Sequence, residues 1–388
     1  MRPLPRRSLL AAAALLCAGV VLRPAPAQDR PAQERPLPQT PVRAVWVTRW
    51  DWKTEAELRA VIERCAALGA NRVLLQVRGH AAAYWPSQVE PWDPWLGGGD
   101  PGWDPLAVAL EAARAQGLEL EAWINVMPLW RGVDPPSDPA HPYLRHPEWV
   151  VVGSDGQPQR RTTHYVCANP ALPAVRAHVA SIASELATRY ALDGVHMDYV
   201  RYVTDEERVL DFSRDPESLR LFGGDPDADR AGWERFKAAQ VTATVREVRA
   251  AVRAARPGCR LTAAVFPTRQ SRVRVAQDVE TWVREGLVDA LYPMTYAAET
   301  PEFERRLEET LFLGAGKVPV YPGVGVFQHR DPARTLEQLR RAREAGADGV
   351  ALFCYASFFA SADPAELREE DAALRARRVE ALRGAWGE

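Results

Sequence analysis

The chain has 388 residues, of which 47% are apolar and 26% are charged, and its formal net charge is −2. This length corresponds to two average domains or one large α/β barrel, and the apolar content excludes a mainly disordered protein. The near balance of acidic and basic residues gives no general attraction to nucleic acid or to an anionic membrane.

The first 41 residues predict an export signal followed by a tether. Arg6 and Arg7 precede the apolar run Leu9–Leu22, and Ala25-Pro26-Ala27 follows it, which is the pattern of a signal peptide cleaved near Ala27. The run is too short for a membrane span, and the paired arginines also fit a twin-arginine signal. Residues 28–41 contain four prolines and predict a tether. We expect a periplasmic, cell-envelope or extracellular protein without a transmembrane span once the signal is removed.

Eight β-rich segments alternate with amphipathic helical segments through residues 42–383. Eight such repeats in about 340 residues predict a parallel sheet closed into a (β/α)8 TIM barrel, as a single domain. A doubly wound open sheet is the alternative, but no G-x-G-x-x-G follows the first strand. The predicted strands are residues 42–50, 71–79, 118–127, 192–200, 259–267, 288–296, 318–327 and 348–356. The predicted helices are residues 54–68, 104–116, 170–190, 231–256, 278–286, 301–313, 331–345 and 364–383.

Three long connections follow the second, third and fourth predicted strands, at residues 80–103, 128–169 and 201–230. They open on the carboxyl-terminal face of a barrel, where active sites lie. Ten of the thirteen tryptophans precede residue 150, and six of these ten lie in the first two connections. We therefore expect an ordered aromatic wall on one side of the barrel mouth.

Alternate side chains of a barrel strand point inward, and the last ones line the mouth. On the fourth predicted strand, Asp198 and His196 point inward together, and Asp198 is the carboxylate at the mouth. Polar residues also end strands two and three, whereas the amino-terminal ends of the strands are predicted to be apolar. This clustering favours an active site, and a purely structural network with Arg78 bound to Asp198 is the alternative.

Glycoside hydrolysis commonly uses two carboxyl groups, and aromatic faces beside carboxylates suit the apolar faces of sugars. Asp198 is the first catalytic candidate. Asp51, just after strand one, and Glu299, just after strand six, are candidates for the second carboxyl group from their positions alone.

Five segments, in this order, resemble the glycosyl hydrolase-like 10 family. They are VRAVWVTRWDW (42–52), NRVLLQVRGHAAAYWPS (71–87), GWDPLAVALEAARAQGLELEAWIN (102–125), the Asn169-Pro170 pair and DGVHMDYVRY (193–202). The resemblance implies a secreted or envelope-associated (β/α)8 glycoside hydrolase, with polysaccharides such as the glycan strands of peptidoglycan among the family's substrates. Many members have two consecutive aspartates after the fourth strand, whereas here Tyr199 follows Asp198, which puts a shared mechanism in doubt.

The shortage of a second carboxylate suggests that the 2-acetamido group of the substrate acts as the nucleophile. Asp198 would then be the general acid or would orient the acetamido nitrogen. The alternative function is a non-catalytic glycan-binding barrel. The candidate substrate-binding residues are Trp46, Trp50, Gln76, Arg78, Trp123, Asn125, Asn169, His196, Arg201, Tyr292, Tyr296, Tyr321 and Tyr355.

Cofactors and partners other than a polysaccharide are not expected. The histidines form no H-x-H pair and the cysteines no C-x-x-C pair, which disfavours a metal site. Basic residues on the outer helices are interspersed with acids, which disfavours nucleic-acid binding. The four cysteines after the signal are interpreted as buried free thiols, and the sequence leaves the oligomeric state open.

Overall fold

The computed structural model describes residues 41–203, 210–314, 316–363 and 372–386. The predicted signal peptide, all but the last residue of the predicted tether and the first part of the last predicted helix lie outside these residues. Within them, no helix is both long and apolar enough to cross a membrane.

Eight parallel strands form a nearly closed barrel, which confirms the predicted fold. In the part of the chain described, the strands are β1 (Val42–Val47), β2 (Arg72–Arg78), β3 (Glu119–Asn125), β4 (Pro128–Arg131), β5 (Tyr165–Cys167), β6 (Gly194–Asp198), β7 (Arg260–Val265), β8 (Ala290–Pro293), β9 (Gly323–Gly325) and β10 (Gly349–Phe353). The barrel order is β8-β7-β6-β3-β2-β1-β10-β9. Hydrogen bonds from Leu291 N to Pro319 O (3.0 Å) and from Tyr321 N to Leu291 O (2.9 Å) join its two edges.

The helices of the described residues are α1 (Glu55–Ala67), α2 (Pro105–Ala115), α3 (Pro142–Arg145), α4 (Pro173–Arg189), α5 (Pro216–Phe222), α6 (Arg230–Ala255), α7 (Arg269–Arg274), α8 (Val279–Arg284), α9 (Thr300–Gly314), α10 (Pro332–Glu344) and α11 (Ala372–Ala385). Several begin at side chains that accept a backbone N–H, as helix N-caps do. Thr54 caps α1 in a capping box with Glu57, and Asp104 caps α2 before a proline.

The long connection after β3 contains an antiparallel hairpin that the sequence did not predict. Its strands, β4 and β5, pair through Trp130 and Val166. The hairpin carries Tyr165 back over the carboxyl-terminal ends of the barrel strands, where it lines a pocket. This connection is therefore an ordered part of the barrel mouth.

The amino-terminal ends of β2, β3 and β7 are charged rather than apolar, which corrects the prediction for these strands. Glu119 accepts a hydrogen bond from Arg72 Nε (2.7 Å), and Glu121 accepts one from Arg260 Nε (3.1 Å). Burial alone would raise the pKa of Glu121, but Arg72 and Arg260 hold it below its ordinary value. The strands carry these residues inward because Glu119 and Glu121 have the same parity as Trp123. The resulting network fills the lower barrel, below the apolar layer that includes Trp46 and Leu74.

Candidate active site

A pocket of about 530 Å³ opens at the carboxyl-terminal ends of the barrel strands. Half of the sequence-predicted site residues line it: Trp46, Trp50, Gln76, Trp123, Asn125, Asp198, Arg201 and Tyr296. The rest lie elsewhere: Asp51, Arg78, Asn169, His196, Tyr292, Glu299, Tyr321 and Tyr355. Aromatic residues that were not predicted as site residues also line the pocket: Tyr165, Tyr199, Tyr202, Phe266, Phe327 and Phe353.

Asp198 ends β6 and is the carboxylate that lines the pocket among the described residues. Its Oδ1 atom accepts hydrogen bonds from Tyr199 N (2.6 Å) and Arg201 Nη1 (3.4 Å). Both contacts are made to Oδ1, so Oδ2 is available to carry a proton. Burial raises the pKa of Asp198 above its ordinary value, although Arg201 and the Tyr199 N–H act in the opposite direction. A buried carboxyl group with a raised pKa is suited to general acid catalysis.

Arg201 is held against one wall of the pocket by aromatic rings. Its guanidinium lies 4.0 Å from the centroid of the Tyr199 ring and 4.8 Å from that of Phe266. Tyr199 has a backbone φ of 49°, so the chain turns sharply directly after Asp198. This turn places Tyr199 edge-to-face with Tyr165 at 5.1 Å. The turn and these ring contacts fix the cation beside the carboxylate.

Trp46 lies at the bottom of the pocket and is supported from below by a chain of hydrogen bonds. Its indole Nε1 donates to His196 Nε2 (3.2 Å), so the other ring nitrogen carries the proton and donates to Thr262 Oγ1 (2.9 Å). Thr262 in turn donates to Glu121 Oε2 (2.6 Å). Burial lowers the pKa of His196 to about 4, which keeps the ring neutral at neutral pH. His196 supports Trp46 rather than contacting substrate, which corrects its prediction as a binding residue.

A second wall consists of polar residues from the turn after β1, from β2 and β3, and from the hairpin. Arg49 Nη1 donates to Gln76 Oε1 (3.1 Å) and to the Tyr165 hydroxyl (3.0 Å). Asn125 Nδ2 donates to the same hydroxyl (3.3 Å) and to Gly79 O (3.0 Å). Arg49 was not predicted because it follows the end of β1, where strand parity no longer applies. It contributes to the wall only through its contacts with Gln76 and Tyr165.

Trp50 does not offer an uncovered ring for stacking on a sugar. The guanidinium carbons of Arg49 and Arg131 lie 3.7 and 4.5 Å from its ring centroid. Trp85, in the connection after β2, is fully buried and donates to Glu185 of α4 (3.0 Å). The tryptophans of the first half therefore divide between the pocket and the packing of the long connections.

The two candidates for a second carboxyl group do not line the pocket. Asp51 Oδ2 accepts hydrogen bonds from Thr48 N (2.7 Å) and Thr48 Oγ1 (2.9 Å), and so holds the turn after β1. The Glu299 side chain is 67% exposed and pairs with Arg334 Nη1 at 2.6 Å. Both residues follow barrel strands, β1 and β8, as predicted, but neither side chain lines the pocket.

Arg78 is bound to Glu90, not to Asp198, so the structural alternative of an Arg78–Asp198 pair is wrong. Its Nη2 and Nε atoms donate to the two Glu90 oxygens at 2.7 and 2.8 Å. The register of β2 against β3 shifts between Gln76 and Arg78. This irregularity breaks the alternation on which the inward orientation of Arg78 was predicted.

Asn169 and Tyr355 hold the surrounding elements together outside the pocket. Asn169 Nδ2 donates to Asp215 Oδ2 (2.7 Å), which ties the connection after β3 to the start of α5. Tyr355 lies in a 3-10 turn after β10, and its hydroxyl accepts from Arg64 of α1 (3.0 Å). The end of β10 at Phe353 explains the error for Tyr355, since strand parity no longer applies beyond it.

Tyr292 and Tyr321 point inward as predicted but lie too low in the barrel to reach the pocket. The Tyr292 hydroxyl accepts from Arg72 Nη1 (2.8 Å), and the Arg72 guanidinium lies 5.4 Å from the Tyr321 ring centroid. Both tyrosines therefore belong to the charged network at the base.

The chemistry available to the site comes from its own side chains. In the described ranges, no group of three or more histidine, cysteine, aspartate or glutamate residues could hold a metal ion. Cys65, Cys167 and Cys259 are buried thiols outside any disulfide, and the half-buried Cys354 is not in a disulfide either. Cys167 and Cys354 line the pocket, and burial raises the pKa of Cys167 to about 12, which keeps that thiol protonated.

Comparisons with known proteins agree with the fold. The sequence profile described as Glycosyl hydrolase-like 10 matches residues 41–320. The chain is 28% identical to glycosyl hydrolase DigH of Escherichia coli K12 over 340 residues, covering 74% of each chain. It is 26% identical to glycosyl hydrolase YngK of Bacillus subtilis over 292 residues, covering 66% of this chain and 54% of YngK. The PgaB (BpsB) glycoside hydrolase domain of Bordetella bronchiseptica superimposes with a TM-score of 0.65 at 17% identity, covering 89% of this chain and 99% of that domain.

Proposed function

The chain belongs to the glycosyl hydrolase-like 10 family, and from this premise we propose that it hydrolyses glycosidic bonds of a bacterial polysaccharide built with 2-acetamido sugars. Peptidoglycan glycan strands are the substrate to test first. The observation that carries the proposal is the position of Asp198, a buried carboxyl group at the carboxyl-terminal end of β6 that lines an aromatic pocket and has Oδ2 available for a proton. The aromatic walls supply faces for the apolar surfaces of sugar rings.

Asp198 serves as the general acid in this proposal, and the substrate supplies the nucleophile. The carbonyl oxygen of the 2-acetamido group attacks the anomeric carbon while Asp198 Oδ2 gives its proton to the departing glycosidic oxygen. Water then attacks the anomeric carbon of the cyclic intermediate and loses a proton to the Asp198 carboxylate. Substrate-assisted glycosidases work without a separate carboxylate nucleophile, which matches a pocket with one carboxylate among the residues described.

A non-catalytic glycan-binding barrel is the second candidate, and the same single carboxylate favours it. We expect the full chain to release new reducing ends from peptide-free glycan strands, at a rate that depends on enzyme concentration. A reducing-end assay on the insoluble strands, with a pull-down of bound protein in parallel, separates the two functions. Binding without any release of reducing ends would leave the binding barrel as the function.

The pH dependence should follow the protonation of Asp198. Since the acid form is needed and burial raises its pKa, activity should rise as the pH falls below neutral. Arg201 lowers the pKa of Asp198, so Arg201→Gln is expected to move the alkaline limb of the kcat profile to higher pH. A profile measured for both proteins on the same glycan checks the direction, and a shift to lower pH would contradict the assignment.

Export of the protein is part of the proposal and rests on the sequence of residues 1–27 alone. A signal peptide there would deliver the hydrolase to the compartment that contains cell-wall polysaccharides. N-terminal sequencing of the protein recovered from the cell envelope or the medium tests cleavage near Ala27.

A further inference from the structure

Arg49 carries a buried charge directly behind the polar wall of the pocket. The residue is 1% exposed, and its guanidinium packs against the Trp50 ring at 3.7 Å. Gly79 leaves the space that this guanidinium fills, since a Cβ atom there would overlap it. The hydrogen bonds of the guanidinium go to two neutral acceptors, Gln76 and Tyr165. The Asp93 carboxylate acts on the Arg49 charge from outside the pocket, so within the polar wall the guanidinium faces neutral groups and a ligand in the pocket also experiences its charge.

Arg49 fixes which atom of Gln76 faces the pocket. Gln76 Oε1 accepts from both Arg49 N (3.3 Å) and Arg49 Nη1 (3.1 Å). Arginine has no acceptor atom, so the amide oxygen must be turned toward it. Gln76 lines the pocket, and its Nε2 group is left as a hydrogen-bond donor there.

The same reasoning fixes the direction of the Tyr165 hydroxyl. Its oxygen accepts from Arg49 Nη1 (3.0 Å) and from Asn125 Nδ2 (3.3 Å). A tyrosine hydroxyl has two lone pairs and one hydrogen, so both lone pairs are used. The hydrogen is left for an acceptor outside this network, and Tyr165 lines the pocket.

The Asn125 amide offers nothing further to a ligand. Asn125 Oδ1 accepts from Trp123 Nε1 (3.0 Å), and both hydrogens of Nδ2 are donated. The wall therefore presents two donors with a guanidinium behind them. Asn125 is paired with Asp198 in the register of β3 and β6, so the wall adjoins the carboxylate.

We propose that the Tyr165 hydroxyl donates to the carbonyl oxygen of the sugar's 2-acetamido group, whose second lone pair attacks the anomeric carbon, and that Gln76 Nε2 donates to a neighbouring hydroxyl oxygen of the glycan. Arg49 is the positioning residue that orients both donors. An amide carbonyl oxygen only accepts, as this wall requires. The free ammonium of a de-N-acetylated sugar has only donors and is repelled by Arg49. The site therefore selects N-acetylated over de-N-acetylated glycan. This inference rests on the proposed function, which places the 2-acetamido group beside Asp198.

The test compares one glycan in two chemical forms, peptide-free glycan strands and the same strands after chemical de-N-acetylation. Binding is measured as the fraction of protein that sediments with increasing amounts of the insoluble strands, in the Asp198→Asn background, so that neither glycan is consumed. In that background Tyr165→Phe should weaken binding of the N-acetylated strands about tenfold, the loss of one hydrogen bond. Its effect on the de-N-acetylated strands should stay within about twofold, because no bond to a carbonyl is lost there.

Arg49→Met tests whether the guanidinium acts through its charge, because the loss of a purely structural contact would weaken binding of both glycans alike. Removing the charge should weaken binding of the N-acetylated strands and strengthen binding of the de-N-acetylated ones. The ratio of the affinity for N-acetylated strands to that for de-N-acetylated strands should therefore fall. Tyr143→Phe is the matched control, since the Tyr143 hydroxyl accepts from Arg161 outside the pocket, and it should leave both affinities unchanged.

Equal binding of the two glycans by the parent protein, or an equal loss on both in Tyr165→Phe, would overturn the inference. Selective binding of N-acetylated strands without release of reducing ends by the wild type would support this inference and contradict the proposed function. Release of reducing ends together with equal binding of the two glycans would support the proposed function and contradict this inference.

Discussion

Asp198→Asn is expected to lower kcat on peptide-free glycan strands by about 10²–10⁴-fold, the contribution of a positioned general acid. Asparagine retains the size of the side chain and an oxygen that can accept from Tyr199 N, but it has no proton to give to the glycosidic oxygen. The fold should be retained because the carboxylate makes its contacts with its own turn, to Tyr199 and Arg201. Release of reducing ends by purified proteins at equal concentration measures the effect.

The matched control is Asp100→Asn, which makes the same chemical change at an exposed position outside the pocket. Asp100 accepts only a local hydrogen bond from Gly102 N, so its replacement should leave kcat unchanged. Equal thermal unfolding of the two variants would exclude misfolding as the cause of any loss. Undiminished turnover by a folded Asp198→Asn protein would remove Asp198 from the mechanism.

Glu90→Gln is expected to destabilise the fold by about 3–5 kcal/mol, the usual consequence of removing one member of a buried ion pair. The Glu90 side chain is fully buried and accepts from Arg78 at two atoms and from His178 Nε2 at 2.8 Å. The substitution leaves the Arg78 charge buried without its counter-ion. Urea denaturation followed by fluorescence measures the change in the free energy of unfolding.

Glu299→Gln is the matched control for that measurement, because it breaks a surface ion pair with Arg334. Exposed pairs contribute about 0–1 kcal/mol, so the control should unfold nearly as the wild type does. A Glu90 variant as stable as this control would show that the buried pair does not hold the connection after β2 in place.

The Glu90 effect should also depend on pH in a defined direction. Arg78 and His178 overcome the effect of burial and lower the pKa of Glu90 from 4.5 to about 2. A depressed pKa contributes stability that is present above the ordinary value and is lost as the pH falls through the folded value. The difference between wild type and Glu90→Gln should therefore shrink as the pH falls from 4.5 toward about pH 2.

The fold was predictable because the evidence for it in the sequence is repeated along the chain. Each barrel strand lies inside a predicted β-rich segment, and the predicted segments run one to three residues too far at their carboxyl-terminal ends. There the chain leaves the sheet to build the pocket, as at Trp50 after β1 and Tyr296 after β8. Composition does not change at that point, so the sequence gives no signal for it.

Strand parity predicted side-chain direction where the strands are regular. It placed Asp198, Asn125 and Gln76 correctly in the pocket. It was wrong for Arg78, where β2 is irregular, and for Tyr355, which lies beyond the end of β10. The same parity rule places Glu121 in the barrel interior. The charged network at the amino-terminal ends of the strands is therefore predictable from the sequence.

Residues supplied by the long connections were beyond sequence reasoning. Tyr165 reaches the pocket only because the unpredicted hairpin of β4 and β5 folds back over the barrel. Arg49 becomes important only through its contacts with Gln76 and Tyr165, which are distant in sequence. The aromatic wall expected from the early tryptophans is wrong, because no tryptophan of the first two long connections lines the pocket. Trp85 packs in the core, and the Trp50 ring is covered by guanidinium groups.

The central claim, that Asp198 protonates the leaving oxygen, is tested most directly by changing how much the leaving group needs a proton. Wild type and Asp198→Asn are compared on peptide-free glycan strands and on a 2,4-dinitrophenyl glycoside of a 2-acetamido sugar, whose leaving group departs without protonation. We predict that kcat/KM, which reports the first step, falls by about 10²–10⁴-fold on the glycan and by less than about tenfold on the dinitrophenyl glycoside. An equal loss on both substrates would contradict the assignment of Asp198 as the general acid.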